Sequence, residues 1–138
     1  MIVVDVNVVA YYFIEGEKTG LARELMRRDA DWRVPSLWRH EYLNVLATYA
    51  RRGGATVAQA RMLWRRALDL LHSREEPTDP EAALALAIAH PISAYDGQYV
   101  ALGQRLGARL VTEDQRLLRA FPAIACTMRS LIDEGGPA

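Results

Sequence analysis

The sequence has few of the residues that form disulfides or zinc sites. Cys126 is the single cysteine, so no disulfide forms within the chain, and we expect a reducing, cytoplasmic compartment. The three histidines, His40, His72 and His90, lie far apart in sequence and do not follow the spacing of zinc ligands. A disulfide-stabilised scaffold and a zinc module are therefore excluded.

Net charge and long apolar segments are lacking too. The 17 basic and 17 acidic residues balance, so the chain as a whole has no positive field to attract nucleic acid, although charge can still be segregated. No apolar run reaches the roughly 20 residues of a membrane span, and the N-terminus, which carries Asp5, lacks the basic region of a signal peptide. Lys18 is the single lysine; the other basic residues are arginines, which suit phosphate and carboxylate groups.

The pattern of apolar residues predicts a single α/β domain over residues 1–138. Short apolar segments typical of buried strands alternate with amphipathic helical segments, and they fall at 2–4, 32–34, 75–78, 109–112 and 124–128. We therefore predict a three-layer α/β/α domain with a short, mainly parallel central sheet. The chain ends in Gly-Gly-Pro-Ala, and about residues 130–138 are expected to form a frayed tail.

Four acidic residues are candidates for a functional site: Asp5, Glu41, Asp96 and Asp114. Asp5 and Asp114 follow predicted strands, and Asp96 lies in the first turn of a predicted helix. Glu41 lies in the apolar stripe of the helix predicted over 37–52, where a carboxylate is costly unless a partner satisfies it. Right-handed crossovers place the carboxyl end of each strand and the start of the following helix at one edge of the sheet. The four acids are therefore expected to converge there.

Each acid also has a purely structural interpretation. Asp5 and Asp114 could be N-caps of the helices that follow them. Ser93 and Asp96 match the pattern of a capping box, and Glu41 could form a salt bridge with an arginine. Only the joint arrangement favours a functional site over these separate explanations.

Four carboxylates in one crevice repel each other. At about 5 Å and an effective dielectric constant near 20, each pair costs roughly 3 kcal/mol, so either some carboxylates take up protons or a cation neutralises them. Oxygen ligands favour Mg²⁺ or Mn²⁺ over zinc. Paired Mg²⁺ ions hydrolyse phosphodiesters by activating water and stabilising the leaving oxygen. The acids therefore predict a metal-dependent hydrolase without a His, Ser or Cys nucleophile set.

The segments around these acids resemble PIN-domain ribonucleases, most closely the VapC toxins of prokaryotic toxin–antitoxin pairs. The resemblance extends from near residue 1 to about Phe121 and is carried by VVDVN, WRHEYLNVL, SAYDGQYVALGQRLGARLVTED and DQRLL. It implies that the four acids bind Mg²⁺ or Mn²⁺ and hydrolyse RNA, with Asn7 and Thr112, and also Asn44, orienting the ligands. Val6 stands where Thr or Ser is common, and Gly97 where Ala is common.

The resemblance also implies partners: an RNA substrate, a VapB-like antitoxin and a second copy of the chain in a homodimer. Tyr11, Tyr12 and Phe13 and the helical hairpin of residues 37–72 could make the protein contacts. Trp38 and Trp64 favour packing over base stacking. The candidate RNA contacts, each of which could equally be a solvated or partner-facing residue, are Arg27, Arg28, Arg51, Arg52, Arg61, Arg65 and Arg66.

Other Mg²⁺-dependent folds fit the sequence less well. A haloacid-type phosphatase needs a second Asp two residues after the first, where this chain has Asn7. A receiver-type signalling domain needs a late lysine, and Lys18 is the only lysine. The alternative within the same fold is a PIN-like binding module without catalytic activity.

Overall fold

The computed structural model describes residues 1–134. The strands in this part of the chain are β1 (Ile2–Val4), β2 (Trp32–Pro35), β3 (Glu75–Glu76), β4 (Leu110–Val111) and β5 (Ala125–Cys126). The helices are α1 (Val6–Phe13), α2 (Thr19–Arg28), α3 (Trp38–Arg51), α4 (Val57–Leu71), α5 (Pro80–Ala89), α6 (Ala94–Leu106), α7 (Gln115–Ala120) and α8 (Met128–Glu134). None of the helices in residues 1–134 is long and apolar enough to cross a membrane.

The five strands form one parallel sheet in the order β3-β2-β1-β4-β5. β1 is central and pairs with both β2 and β4, and its three residues are buried. A central parallel strand is covered on both faces, which explains the uninterrupted apolar run Ile2-Val3-Val4. The predicted α/β fold with a short parallel sheet is confirmed.

The order of the strands creates a switch point between β1 and β4. The chain proceeds from β1 outward to β2 and β3, and then returns to the other side of β1 for β4 and β5. Because the crossovers between parallel strands are right-handed, helices α1–α4 cover one face and α5–α7 the other. Ligands of such sheets bind outside the carboxyl ends of the strands at this reversal, which is where Asp5 and Asp114 lie.

Aromatic side chains pack α3 and α4 against each other as a helical hairpin. Trp38 and Tyr42 of α3 are fully buried, and the indole ring of Trp64 on α4 stacks on Trp38 with 5.7 Å between ring centroids. The hydroxyl of Tyr42 donates a hydrogen bond to the backbone oxygen of Leu63 at 3.3 Å. Both tryptophans thus pack within the domain, as predicted.

The predicted frayed tail over about residues 130–138 is wrong in its first part. Residues 130–134 belong to α8, in which the hydroxyl of Thr127 accepts a hydrogen bond from the amide of Ser130 at 3.1 Å. Leu131 and Ile132 pack against the core, and this burial holds the helix in place. Residues 135–138 lie outside the described residues.

Candidate metal centre and active site

Asp5 lies at the carboxyl end of β1 with only 6% of its surface exposed. Its carboxylate makes no helix-capping hydrogen bond to α1, so the capping interpretation does not hold. Instead, Oδ2 of Asp5 accepts a hydrogen bond from the hydroxyl of Thr112 at 2.8 Å. A buried carboxylate without a capping role is the kind of group that a fold retains for binding or chemistry.

Thr112 connects two of the acids. It is completely buried just after β4, and its hydroxyl oxygen also accepts a hydrogen bond from the backbone amide of Asp114 at 3.0 Å. Asp114 caps α7, because its Oδ1 accepts from the amide of Arg116 at 2.8 Å and, more weakly, of Leu117 at 3.4 Å. The capping interpretation of Asp114 is therefore correct as far as Oδ1 is concerned.

Asp96 lies in the first turn of α6, which crosses the sheet beneath β1 and β2. The hydroxyl of Ser93 accepts a hydrogen bond from the Asp96 amide at 3.0 Å and so caps the helix. The next residue, Gly97, lies where α5 approaches α6 very closely. A Cβ atom on Gly97 would come within 2.7 Å of the backbone oxygen of Ala83. The departure from alanine at this position thus has a packing reason.

Glu41 lies in the first turn of α3 and points towards α6. Its Oε1 accepts a hydrogen bond from the hydroxyl of Tyr99 at 2.7 Å. In residues 1–134, Glu41 takes part in no ion pair, so the predicted alternative of a salt bridge to an arginine is wrong. Tyr99 is 1% exposed, and its hydroxyl satisfies a carboxylate that would otherwise be half-buried without a partner.

Burial and the charges of neighbouring acids raise the pKa values of Asp5, Glu41 and Asp96. Burial, and then the charges of Asp5 and Asp96, raise the pKa of Glu41 to about 7, against the lowering effect of the Tyr99 hydrogen bond. Burial also raises the pKa of Asp5, and the charges of Asp96 and Asp114 add to this, while the Thr112 hydrogen bond opposes it. Burial and the charge of Asp114 raise the pKa of Asp96. The structure therefore brings the four predicted acids into one electrostatic cluster.

The donor chemistry of this cluster fits a hard divalent cation. Four carboxylates supply oxygen ligands and an excess of negative charge that a cation would relieve. In residues 1–134, however, no group of three or more His, Cys, Asp or Glu side chains stands in a ready-made ligand arrangement. Asp114 directs Oδ1 to the amides of α7 and Glu41 directs Oε1 to Tyr99, so a cation would be met mainly by the other carboxylate oxygens.

Asn7 and Asn44 are both exposed. Among the described residues neither side chain takes part in a hydrogen bond, and each lines a shallow surface groove that also contains Val45. Their expected role in orienting the ligands stays a prediction, whereas Thr112 does contact Asp5.

Comparisons with known proteins show which family the chain belongs to. The sequence profile of the PIN domain matches residues 2–122. The chain belongs to the PIN-domain family. It is 32% identical over 129 residues to Ribonuclease VapC3 of Pyrobaculum aerophilum, a match that covers 89% of this chain and 96% of that protein.

Two solved structures share the fold of this PIN domain. PAE2754 from Pyrobaculum aerophilum is similar with a TM-score of 0.75 at 21% identity, covering 94% of this chain and 92% of the other. A toxin–antitoxin complex from Klebsiella pneumoniae is similar with a TM-score of 0.63 at 15% identity, covering 93% of this chain and 98% of the other. The resemblance inferred from the acid motifs is confirmed.

Sequence reasoning missed the hydrogen bond of Tyr99 to this cluster of acids. The signal was present, since Tyr99 follows Asp96 by three residues and so lies on the same face of α6. What the spacing could not show was its partner, because Glu41 is 58 residues away in sequence.

Proposed function

We propose that this PIN domain is a divalent-metal-dependent endoribonuclease and the toxin of a VapBC-type toxin–antitoxin pair. The observation that carries the proposal is the cluster of Asp5, Glu41, Asp96 and Asp114, whose charges act on one another at the carboxyl edge of the sheet. The relative named Ribonuclease VapC3 supports the choice of RNA as substrate.

The four acids would hold Mg²⁺ or Mn²⁺, and the remaining residues of the site would keep the acidic side chains in place. When bound, the cation supplies activation of water and stabilisation of the leaving oxygen. Thr112 holds the carboxylate of Asp5 and the backbone amide of Asp114 by hydrogen bonds. Tyr99 holds the carboxylate of Glu41 in the same way. In the metal-free protein, Glu41 holds a proton up to a pH of about 7, and this proton limits the mutual repulsion of the acids.

The positive charge needed to hold RNA lies on the α3–α4 hairpin. Residues 42–68 contain no acidic residue, and their arginines, which are all exposed, are Arg51, Arg52, Arg61, Arg65 and Arg66. None of these arginines forms an ion pair within residues 1–134. Since the acid cluster repels phosphate, attraction for RNA has to come from such a separate surface.

The antitoxin is proposed to bind the groove between α1 and the hairpin. Phe13 and Ile14, at the end of α1, line it together with Tyr49, Met62 and Arg66, and a neighbouring groove continues past Val45 to Asn7 beside Asp5. The similar fold of a toxin–antitoxin complex supports such a partner. A basic side chain of the antitoxin reaching the acids would replace the charge of the metal and inhibit the enzyme.

A homodimer and a cytoplasmic location complete the proposal. Beyond Glu81 in its first turn, α5 is apolar on all sides, which is typical of a helix that is covered, yet Leu84 and Ile88 are 56% and 78% exposed. Tyr95, next to Asp96, is 64% exposed. This apolar surface of Leu84, Ile88 and Tyr95 carries no charge and can meet its own copy without repulsion.

The test is RNA cleavage by the Asp96→Asn variant in Mg²⁺ or Mn²⁺ and in EDTA. Cleavage by the unmodified chain should require the divalent cation and be abolished in Asp96→Asn. Asp69→Asn, which removes an exposed acid on α4, should cleave normally. Equal cleavage by Asp96→Asn would refute the proposal, and a chain that binds RNA but never cleaves it would instead be a PIN-like binding module.

A further inference from the structure

The buried tyrosine of α6 has a geometry that packing alone does not require. The ring of Tyr99 lies in the core, and its hydroxyl reaches Oε1 of Glu41 at 2.7 Å. We propose that Tyr99 is a positioning residue, which holds the Glu41 carboxylate so that its other oxygen, Oε2, faces the cation. This inference rests on the proposed metal-dependent function.

Tyr99 and Asp96 act from one rigid element. They are three residues apart on α6 and so share a helix face, and α6 packs against β1 and β2. Glu41 comes from α3, on the opposite face of the sheet from α6. The hydrogen bond therefore links the acids of two layers and sets the position of Glu41 relative to Asp96.

A phenylalanine would fill the same space without burying a polar atom. A buried tyrosine hydroxyl needs a partner, and the partner here is a carboxylate that makes no other hydrogen bond within the described part of the chain. The glutamate side chain has several rotatable bonds, and the Tyr99 hydroxyl makes the one hydrogen bond in residues 1–134 that selects among its rotamers. The hydroxyl thus supplies orientation.

The neutral character of the donor is also significant. An arginine at this position would orient Glu41 as well, but it would cancel the negative charge that attracts the cation. A phenol donates a hydrogen bond without bringing a charge. Burial, and then the nearby acids, raise the pKa of Tyr99 well above its ordinary value. The site therefore keeps the charge of Glu41 available while fixing its direction.

The test compares Tyr99→Phe with Tyr42→Phe. Tyr42 is also fully buried, but its hydroxyl donates to the backbone oxygen of Leu63 rather than to an acid. Mn²⁺ binding is measured by calorimetric titration of each purified variant, and RNA cleavage is measured as a function of Mn²⁺ concentration. Residues that orient metal ligands affect metal affinity by about 10–100-fold.

We expect Tyr99→Phe to bind Mn²⁺ at least about tenfold more weakly. Its cleavage rate should recover at high Mn²⁺, with the KM for RNA unchanged, and Tyr42→Phe should behave like the unmodified chain. In Glu41→Gln, the further change Tyr99→Phe should have little additional effect on Mn²⁺ affinity, because Tyr99 acts through Glu41. A melt followed by circular dichroism checks that each variant is folded.

Equal Mn²⁺ affinity in Tyr99→Phe and the unmodified chain would overturn the inference, as would equal losses in Tyr99→Phe and Tyr42→Phe. An additive loss in the double variant would show that Tyr99 acts by another route and would refute it too. Mn²⁺ binding that depends on Tyr99, without any RNA cleavage, would instead refute the proposed function and leave the positioning role in place. A chain that binds no Mn²⁺ would refute both.

Discussion

The hydroxyl of Thr112 donates a hydrogen bond to Oδ2 of Asp5, a residue 107 positions away in sequence. The two residues lie at the carboxyl ends of β4 and β1, the neighbouring strands between which the sheet reverses its order. Replacing Thr112 by valine keeps the shape of the side chain but leaves a buried carboxylate without its donor. We expect the free energy of unfolding to fall by about 1–3 kcal/mol, measured by urea denaturation in EDTA.

Thr48→Val is the matched control for this substitution. Thr48 lies in α3 and is only half-buried, and its hydroxyl oxygen accepts one weak hydrogen bond, from Arg51 at 3.5 Å. Its replacement should change the free energy of unfolding by less than about 0.5 kcal/mol. Equal stability of Thr112→Val and the unmodified chain would mean that the hydrogen bond to Asp5 contributes nothing.

The pKa of Glu41 predicts how metal-free stability depends on pH. Burial and the neighbouring acids raise this pKa to about 7 from an ordinary value of 4.5. Between these two values the folded protein binds more protons than the unfolded chain, so raising the pH through this window lowers the free energy of unfolding. Denaturation in EDTA at several values from pH 5 to 7.5 should show this decline, and Glu41→Gln should reduce it.

The raised pKa values of Asp5 and Asp96 act in the same direction. In Glu41→Gln, the free energy of unfolding should therefore still fall to some extent as the pH rises. Adding Mg²⁺ favours the deprotonated carboxylates, so it should stabilise the protein more at pH 7 than at pH 5. Stability that rises with pH between 5 and 7 in the absence of metal would contradict this reading of the cluster.

The position of the acids could be predicted from the sequence because it depends on topology. The apolar run Ile2–Val4 predicted β1, and right-handed crossovers then predicted all four acids at the same edge. Individual contacts depend on helix packing and rotamers, which one sequence does not specify. The Tyr99–Glu41 hydrogen bond and the close approach of Gly97 to Ala83 belong to this second kind. The tail was predicted to fray from residue 130 because of its Gly-Gly-Pro-Ala ending, whereas the Thr127 cap and the packing of Leu131 and Ile132 hold residues 130–134 in α8.

Gly97 provides a test of how closely α5 and α6 pack. In Gly97→Ala, the new methyl group would meet the backbone oxygen of Ala83 at 2.7 Å, and backbone cannot rotate away as a side chain can. We expect the free energy of unfolding to fall by about 1–3 kcal/mol, although alanine favours a helix. Thermal melts of the variant should show a lower Tm.

Gly20→Ala in α2 is the matched control, since nothing lies within 4 Å of the position of its Cβ. There the helix propensity of alanine is unopposed, and stability should rise by up to about 1 kcal/mol. A Tm of Gly97→Ala equal to or above that of the unmodified chain would show that the two helices can separate at no cost.

The hairpin arginines make a prediction about RNA affinity. Arg65 and Arg66 follow Trp64, whose ring stacks on Trp38 at the start of α3, the helix that also carries Glu41. In Arg65→Gln/Arg66→Gln, binding of a labelled single-stranded RNA in EDTA should weaken, because two phosphate contacts are lost. The slope of log affinity against log salt should become shallower by about 0.7 for each contact, as measured by fluorescence anisotropy.

Arg27→Gln/Arg28→Gln removes the same charge elsewhere and serves as the control. These two exposed arginines end α2 just before β2, and therefore lie at the edge of the sheet opposite to the acids. Their loss should leave the salt dependence almost unchanged. Equal effects of the two double variants would indicate unspecific attraction to positive charge rather than a binding surface on the hairpin.

The apolar surface of α5 predicts the oligomeric state. Ile88 is 78% exposed and Leu84 one turn earlier is 56% exposed, so a second copy packed on this helix would bury both. Light scattering coupled to size-exclusion chromatography should find a dimer for the unmodified chain and a monomer for Ile88→Glu, because two buried unpaired carboxylates would face each other. Met62→Glu, at an exposed apolar position of α4, should stay dimeric. A dimer that survives Ile88→Glu would place the contact elsewhere, and a monomeric unmodified chain would rule out the homodimer.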